Sequence, residues 1–315
     1  MSAAPRRAAL PARSILAASD LGEGSDAVLR TAAALAALTG AGLHVIHAFD
    51  LPPSPYLDHY GDAFGFQARV EAAEDDLRAQ VERVVPPQVR VASTRVEIYA
   101  AHRAIAEYAE AADAELVVVG AHTRRELEIG FLGGTADRLV RILEVPCLIV
   151  RGELRLPLRH LVVPMDLSEW ARPALETALA WAGALGSRGE ELSLGETGVS
   201  VIHVVPTVVT GPVPFERAEV LPGWNRELEA VAEHAPAGVE IREAILWGDV
   251  PADAIVDFAA RERADLVVMA THGYGAIRRA LLGGTAQSVA RRARSPVLLV
   301  PPAMWRGEGE EGQPR

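Results

Sequence analysis

"LGGTA" stands at 132–136, and the same five residues return at 282–286. Two glycines, a threonine and an alanine in an Ala- and Gly-rich chain carry little weight alone, so the flanking residues decide what the echo means. "ELVVVGAH" at 115–122 lies over "DLVVMATH" at 265–272, an offset of 150, and the same offset carries "GGTADRLVRILEVPCLIV" at 133–150 onto "GGTAQSVARRARSPVLLV" at 283–300. Upstream, "RSILAASDLGE" at 13–23 lies over "RHLVVPMDLSE" at 159–169, and "LHVIHAF" at 43–49 over "VSVIHVV" at 199–205. The offsets differ only where loops gain or lose residues, which is how a duplicated fold diverges. One domain is written twice.

Each copy alternates short apolar runs with longer patterns of helical spacing. In the first copy "SILAAS", "LHVIHAF", "VRVASTRVEI", "ELVVVG" and "VPCLIV" read as strands, and 25–39, 63–85, 101–112 and 134–144 as helices. The second copy repeats the series with "HLVVPM", "VSVIHVV", "VEIREAIL", "DLVVMA" and "PVLLV". Strands apolar almost throughout belong inside a parallel sheet covered on both faces, so each copy is expected to be a doubly wound, Rossmann-like α/β domain. The expected units are 13–151 and 159–302, joined through the charged, Pro-containing "RGELRLPLR" at 151–159, with flexible tails at 1–12 and 303–315.

Composition narrows the function classes. A net charge of −11 argues against nucleic acid and against an anionic membrane surface, since both demand a basic face. No run of 18 apolar residues is present, and the start lacks the apolar stretch of a secretory signal. The single cysteine, Cys147, lies within an apolar strand and reads as inert core. The expectation is a soluble, cytoplasmic protein.

The repeated phrase follows the fourth strand by about a dozen residues and opens a helix. Glycines allow close approach to the main chain, and a helix start presents unpaired N–H groups, so the phrase suits an anion, most often phosphate. The plain alternative is that Thr135 or Thr285 merely caps the helix. Directly after the first strand stands Asp20 or Asp166, and after the fourth "GAHT" at 120–123 or "ATHG" at 270–273. In doubly wound sheets ligands sit beyond the carboxyl ends of the strands, where these three pieces would line one crevice if strands one and four are neighbours. There a carboxylate suits ribose hydroxyls or adenine.

"VVMATHGYGAIRRALLGGTAQSVARRARSPVLLV" at 267–300 closely resembles the C-terminal half of a universal stress protein domain, a family whose nucleotide-binding members use Gly-x-x-Gly, nine residues, then Gly followed by Ser or Thr to hold ATP. "VPMD" at 163–166, "VIHVV" at 201–205 and "GDVPADAI" at 248–255 are similar to the family's first two strands and third helix start. The resemblance spans both copies. It implies a five-stranded parallel sheet of order 3-2-1-4-5 in each, ATP (with any Mg²⁺ arriving on it) or another adenine nucleotide as ligand, and a role in stress endurance rather than a defined reaction. The site residues so marked are Pro164, Met165, Asp166, Val204, Ala270, His272, Gly273, Gly283, Gly284 and Thr285 in the second copy. A weaker first site comprises Ser19, Asp20, Ala48, Gly120, His122, Gly133, Gly134 and Thr135.

Neither copy keeps the whole motif. Ala270 stands at the first glycine of copy two, Thr123 at the second glycine of copy one, and Gly134 and Gly284 where the family most often has Ser. The loop of copy one carries Glu126 and Glu128 where copy two has Ala276 and Arg278, so phosphate should prefer the second. No P-loop lysine, "GxSxG" elbow or metal-ligand spacing is present, and at most slow hydrolysis is expected. His47 and His203, and His122 and His272, recur at matching places and are expected to hold loop backbone by hydrogen bonds. In the implied order "CLIV" and "VLLV" are apolar edges that would pair with each other as a pseudo-dimer within the chain, leaving room for a further homodimer. The competing reading is a scaffold that acts through protein contacts and no longer holds nucleotide. The long loops at 50–66 and 206–224 suit a cover or a partner surface equally well.

Overall fold

The computed structural model describes residues 10, 13–49, 66–121, 133–166, 168, 171–186, 197–205, 207, 235–271 and 284–301. In the first half strands β1 (Ser14–Ser19), β2 (Gly42–Ala48), β3 (Val91–Glu97), β4 (Leu116–Gly120) and β5 (Cys147–Val150) alternate with helices α1 (Glu23–Thr39), α2 (Phe66–Val84), α3 (Ala101–Ala111) and α4 (Gly134–Leu139). The second half runs β6 (His160–Pro164), α5 (Arg172–Leu185), β7 (Thr197–Val205), β8 (Val239–Trp247), α6 (Pro251–Arg261), β9 (Leu266–Ala270), α7 (Gly284–Arg292) and β10 (Val297–Val300).

All ten strands form one sheet of order β3-β2-β1-β4-β5-β10-β9-β6-β7-β8. Each half therefore has the order 3-2-1-4-5 with all its pairs parallel, and strands one and four are neighbours (Ile15 opposite Leu116, Leu161 opposite Leu266). The halves meet through β5 and β10, which pair antiparallel with Leu148 opposite Leu298. These are the two apolar edges that the sequence brings into question, and each covers the other.

Successive strand residues enter opposite cores, as the twofold period of a strand requires. Ile15, Ala17, Leu148 and Leu298 face α1, α2 and α5, whereas Leu16, Cys147, Val162 and Leu299 face α3, α4, α6 and α7. Each core runs without a break across the seam between the halves. Helix α1 buries Val28, Leu29, Ala32, Leu35 and Ala36, an apolar stripe at three- and four-residue spacing. It stops at Gly40, whose φ of 75° lets its N–H return to the Ala36 carbonyl. The connection after β5 is fastened to both halves. Leu154 and Leu158 are buried, the Leu154 N–H donates to Thr31 Oγ1 (3.2 Å), and the Leu158 N–H donates to the Leu185 carbonyl (2.8 Å).

Two element limits differ from the sequence reading. The helix expected over 134–144 ends at Leu139, because Arg141 and Ile142 turn back on the carbonyls three residues before them and tighten the chain toward β5. Strand β7 begins at Thr197, earlier than the apolar run suggests, because Thr197 and Gly198 still pair with Val239 and Glu240. The tails and most of the two long loops lie outside the described residues.

Candidate functional site

At the carboxyl ends of β1 and β4, where the strand order reverses, the first half forms a cleft of ≈ 120 Å³. β1 and the turn after it contribute Ala18, Ser19 and Asp20; the start of α1 gives Gly24 and Ser25; β2 gives Ile46 and Ala48. Ala101 and Ile105 close it from α3, and Val119 and Gly120 from β4. The glycine turn supplies Gly133, Thr135 and Ala136. Six of the eight residues marked in the first copy (Ser19, Asp20, Ala48, Gly120, Gly133 and Thr135) thus line one space. Gly134 opens α4 beside them, and His122 lies outside the described residues. Apolar walls with a carboxylate, hydroxyls and open backbone at one end suit a ligand with a flat apolar part and a polar edge.

The threonine does not cap the helix. Gly133 is the N-cap, no side chain bonds back to the helix start, and Thr135 lies one residue inside. The capping alternative is therefore corrected for the first copy, where Thr135 is among the residues that line the cleft. The Gly133 N–H donates to the Ala121 carbonyl (2.8 Å), which ties the turn to the strand end it faces. A Cβ built at Gly134 or at Gly284 meets nothing within 4 Å. The absent serine of the family pattern is thus a chemical difference and not a steric one.

The turn after the first strand is built alike in both halves. Asp20 Oδ1 accepts the Gly22 N–H (2.9 Å) and Asp166 Oδ1 accepts the Ser168 N–H (3.1 Å), each carboxylate fixing its own loop. Behind each, a histidine at the end of strand two donates Nδ1–H to a carbonyl of that loop, His47 to Ser19 and His203 to Met165, both at 2.8 Å. A carbonyl only accepts, so Nδ1 carries the proton in both rings. For these two histidines the backbone-holding expectation is met; His122 and His272 lie outside the described residues.

Beneath the cleft the first half carries a buried polar chain that sequence reading missed. Ser19 Oγ donates to Gln80 Oε1 (2.6 Å), and Gln80 Nε2 donates to Asp26 Oδ1 (2.8 Å) and Ser25 Oγ (3.2 Å). Ser25 Oγ donates to the Gly22 carbonyl (2.7 Å), and Arg83 holds both oxygens of Asp26 at 2.6 and 2.9 Å. The Arg83 hydrogen bonds hold the Asp26 carboxyl below its ordinary range, with Gln80 helping against the cost of burial. The available signal was Gln80 and Arg83 on the otherwise ordinary charged face of α2, three residues apart, but nothing in the sequence marks which helix lies over that turn.

In the second half Pro164 ends β6, Met165 is buried in the core and Asp166 follows it, while Val204 lies on β7 and Ala270 ends β9. Gly284 and Thr285 open α7. His272, Gly273 and Gly283 lie outside the described residues. The described members occupy the places of their first-half counterparts, since β6, β7 and β9 pair in the same order as β1, β2 and β4. Cys147 is 2% exposed, and burial pushes its thiol up to about 12, which fits an inert core residue. Among the described residues no cluster of His, Cys, Asp and Glu could hold a metal, and no helix is long and apolar enough to cross a membrane.

A doubly wound α/β pair with a crevice at the switch point of its first half defines a broad class. The comparisons with known proteins narrow it. The model of the universal stress protein family matches residues 11–151 and again 157–301, and the chain belongs to that family. A universal stress protein of Methanocaldococcus jannaschii is 48% identical over 149 residues, covering 45% of this chain and 81% of the relative. One from Mycobacterium tuberculosis is 27% identical over 300 residues, 87% of this chain and 92% of the relative, so the two-domain arrangement is shared along the full length. Among solved structures, a universal stress protein from Archaeoglobus fulgidus superposes with a TM-score of 0.64 at 20% identity, covering 92% of this chain and 98% of that one.

Proposed function

We propose that this chain is a two-domain universal stress protein that binds ATP or a related adenine nucleotide, and that occupancy switches its contacts in the stress response. The units are 13–151 and 159–302, and the second is the tighter site. The observation that carries the reading is the cleft at the ends of β1 and β4, lined by Asp20, by Gly120 and by the glycine turn at Gly133 and Thr135. A carboxylate anchored by its own turn is oriented toward one side, as a ribose contact requires. The glycine turn offers backbone for phosphate without side-chain obstruction at Gly134 or Gly284. Preference for the second site rests on Arg278 against Glu126 and Glu128 in the first, and on Gly273 where the first has Thr123. A role limited to slow hydrolysis fits, because the cleft presents no pair of groups suited to activating water.

Freshly purified protein, denatured and analysed by mass spectrometry for released small molecules, tests this directly. An adenine nucleotide recovered in substoichiometric or full amount supports the reading. If none is released, and calorimetric titration with ATP and Mg²⁺ gives no heat, the function passes to a scaffold that works through protein contacts.

A further inference from the structure

The two halves meet about an approximate twofold axis, because Leu148 pairs with Leu298, its own counterpart in the repeat. Any residue close to that axis must face the residue that replaced it in the other copy. Asp137 on α4 and Gln287 on α7 are such counterparts, and they touch. Gln287 Nε2 donates to Asp137 Oδ1 in a short hydrogen bond, and Arg291 donates to the same oxygen from 3.4 Å. Arg141, the counterpart of Arg291, reaches Asp137 Oδ2 at 3.5 Å. The charged groups facing the carboxylate are therefore Arg141 from its own side and Arg291 from across the seam. A second asymmetry lies at the strand ends. Arg151, after β5, donates to the Ala290 and Arg291 carbonyls at the end of α7, whereas its counterpart is Pro301, which has no side-chain donor.

We propose that Asp137, Gln287 and Arg151 choose the partner at this seam, fitting a first half to a second half and rejecting a like half from another chain. Two first halves would bring Asp137 against Asp137, replacing the amide that donates to the carboxylate by a second carboxylate that cannot donate and repels it. Two second halves would leave Arg291 without a carboxylate and the end of α7 without Arg151. Only the unlike pairing satisfies both, and a covalent chain holding one of each supplies it internally. Duplicated β5-type edges that remained identical would offer a half from another chain the same contacts as the half within the chain, leaving only the tether to choose between them. The exchange at one axial position removes that ambiguity.

The full-length chain carries the test. Gln287→Asp places two carboxylates on the axis. One of them then titrates well above its unfolded value, so the variant is stable at acid pH and loses stability as pH rises. Relative to wild type its melting temperature should fall by about 5 °C at pH 7.5 and recover toward pH 5. The exchange Asp137→Gln with Gln287→Asp rebuilds one carboxylate and one amide and should return most of the loss at pH 7.5. Partner choice has its own readout. When Asp137→Gln is refolded at rising concentration, sedimentation should show a larger fraction of cross-paired chains than in wild type. A Gln287→Asp variant with no pH-dependent loss, or a double exchange no better than the single one, would overturn the pairing chemistry. Equal cross-pairing by wild type and Asp137→Gln would overturn the role in partner choice.

Discussion

The turns after the first strand of the two halves have the same frame and different residues beneath it. In both, an aspartate fastens the turn after the first strand, and a histidine from strand two holds a carbonyl of that turn at 2.8 Å. Beneath the frame, position 19 is a serine joined to Gln80 and Ser25, with Gln80 reaching on to Asp26, whereas its counterpart, Met165, belongs to the apolar core, as does Ala171. Residue 26 is an aspartate clamped by Arg83, and its counterpart is Arg172, paired at 3.8 Å with Glu176 on its own helix. At the described positions the duplication thus preserved the hydrogen bonds that shape this turn and put Met165, Ala171 and Arg172 where the first half has Ser19, Ser25 and Asp26. A polar network is sensitive to the loss of any member, since each leaves the others buried and unpaired. An apolar support is sensitive mainly to lost volume.

This contrast can be broken in several ways. Met165→Ala should cost about 3 kcal/mol in denaturant unfolding through the cavity it leaves, and a variant within 1 kcal/mol of wild type would show the second foundation to be loosely packed. Gln80→Leu should cost about 2 kcal/mol, because the Ser19 hydroxyl and Asp26 lose a buried partner. The double change Gln80→Leu with Ser19→Ala should recover part of that loss, and strict additivity would dissolve the network. His47→Phe and His203→Phe should each cost about 1 kcal/mol, and nearly the same amount, because each leaves one loop carbonyl unpaired. A large inequality would mean that the shared frame is shared only in appearance.

Acid sharpens the comparison further. Asp26 is held below its ordinary carboxyl range in the folded chain, first by the Arg83 hydrogen bonds. Its contribution is therefore present above the unfolded carboxylate value and is lost as pH falls through the folded one. Arg83→Met should lower the melting temperature only slightly at neutral pH, because Arg83 is mostly exposed and its pairing is screened by solvent, and the gap to wild type should close in acid. Thermal scans at pH 7 and pH 3 check the sign. The smallest effect belongs to Gly134→Ser and Gly284→Ser, which should leave stability within about 0.5 kcal/mol, since a Cβ at either place meets nothing.

Much of this was legible in the sequence. The strand-helix alternation, the duplication and the meeting of "CLIV" with "VLLV" follow from periodicity and from the rule that apolar edges seek cover. The crevice residues Ser19, Asp20, Gly120, Gly133 and Thr135 were legible because a doubly wound sheet fixes where strand ends gather. Gln80 was not. Its role depends on how α2 lies over the turn at 20–25, a tertiary matter with no local signature, and on its face it is one polar residue among many on a charged helix. Asp137 and Gln287 escaped notice for a related reason. Their meaning appears only when the repeat offset and the antiparallel seam are combined, since either alone leaves them as ordinary residues of a helical first turn. The shorter α4 reflects a turn set by the path into β5, which propensity does not encode.

We propose that each half holds an adenine nucleotide at the carboxyl ends of its first and fourth strands, more tightly in the second half. Calorimetric titration of ATP with Mg²⁺ into wild type, Gly133→Val and Gly283→Val tests it most directly. Gly283→Val is expected to lose the tighter binding, at least tenfold in Kd, while Gly133→Val retains it and loses only the weaker phase. Equal heats from all three proteins, or none from any, would contradict it.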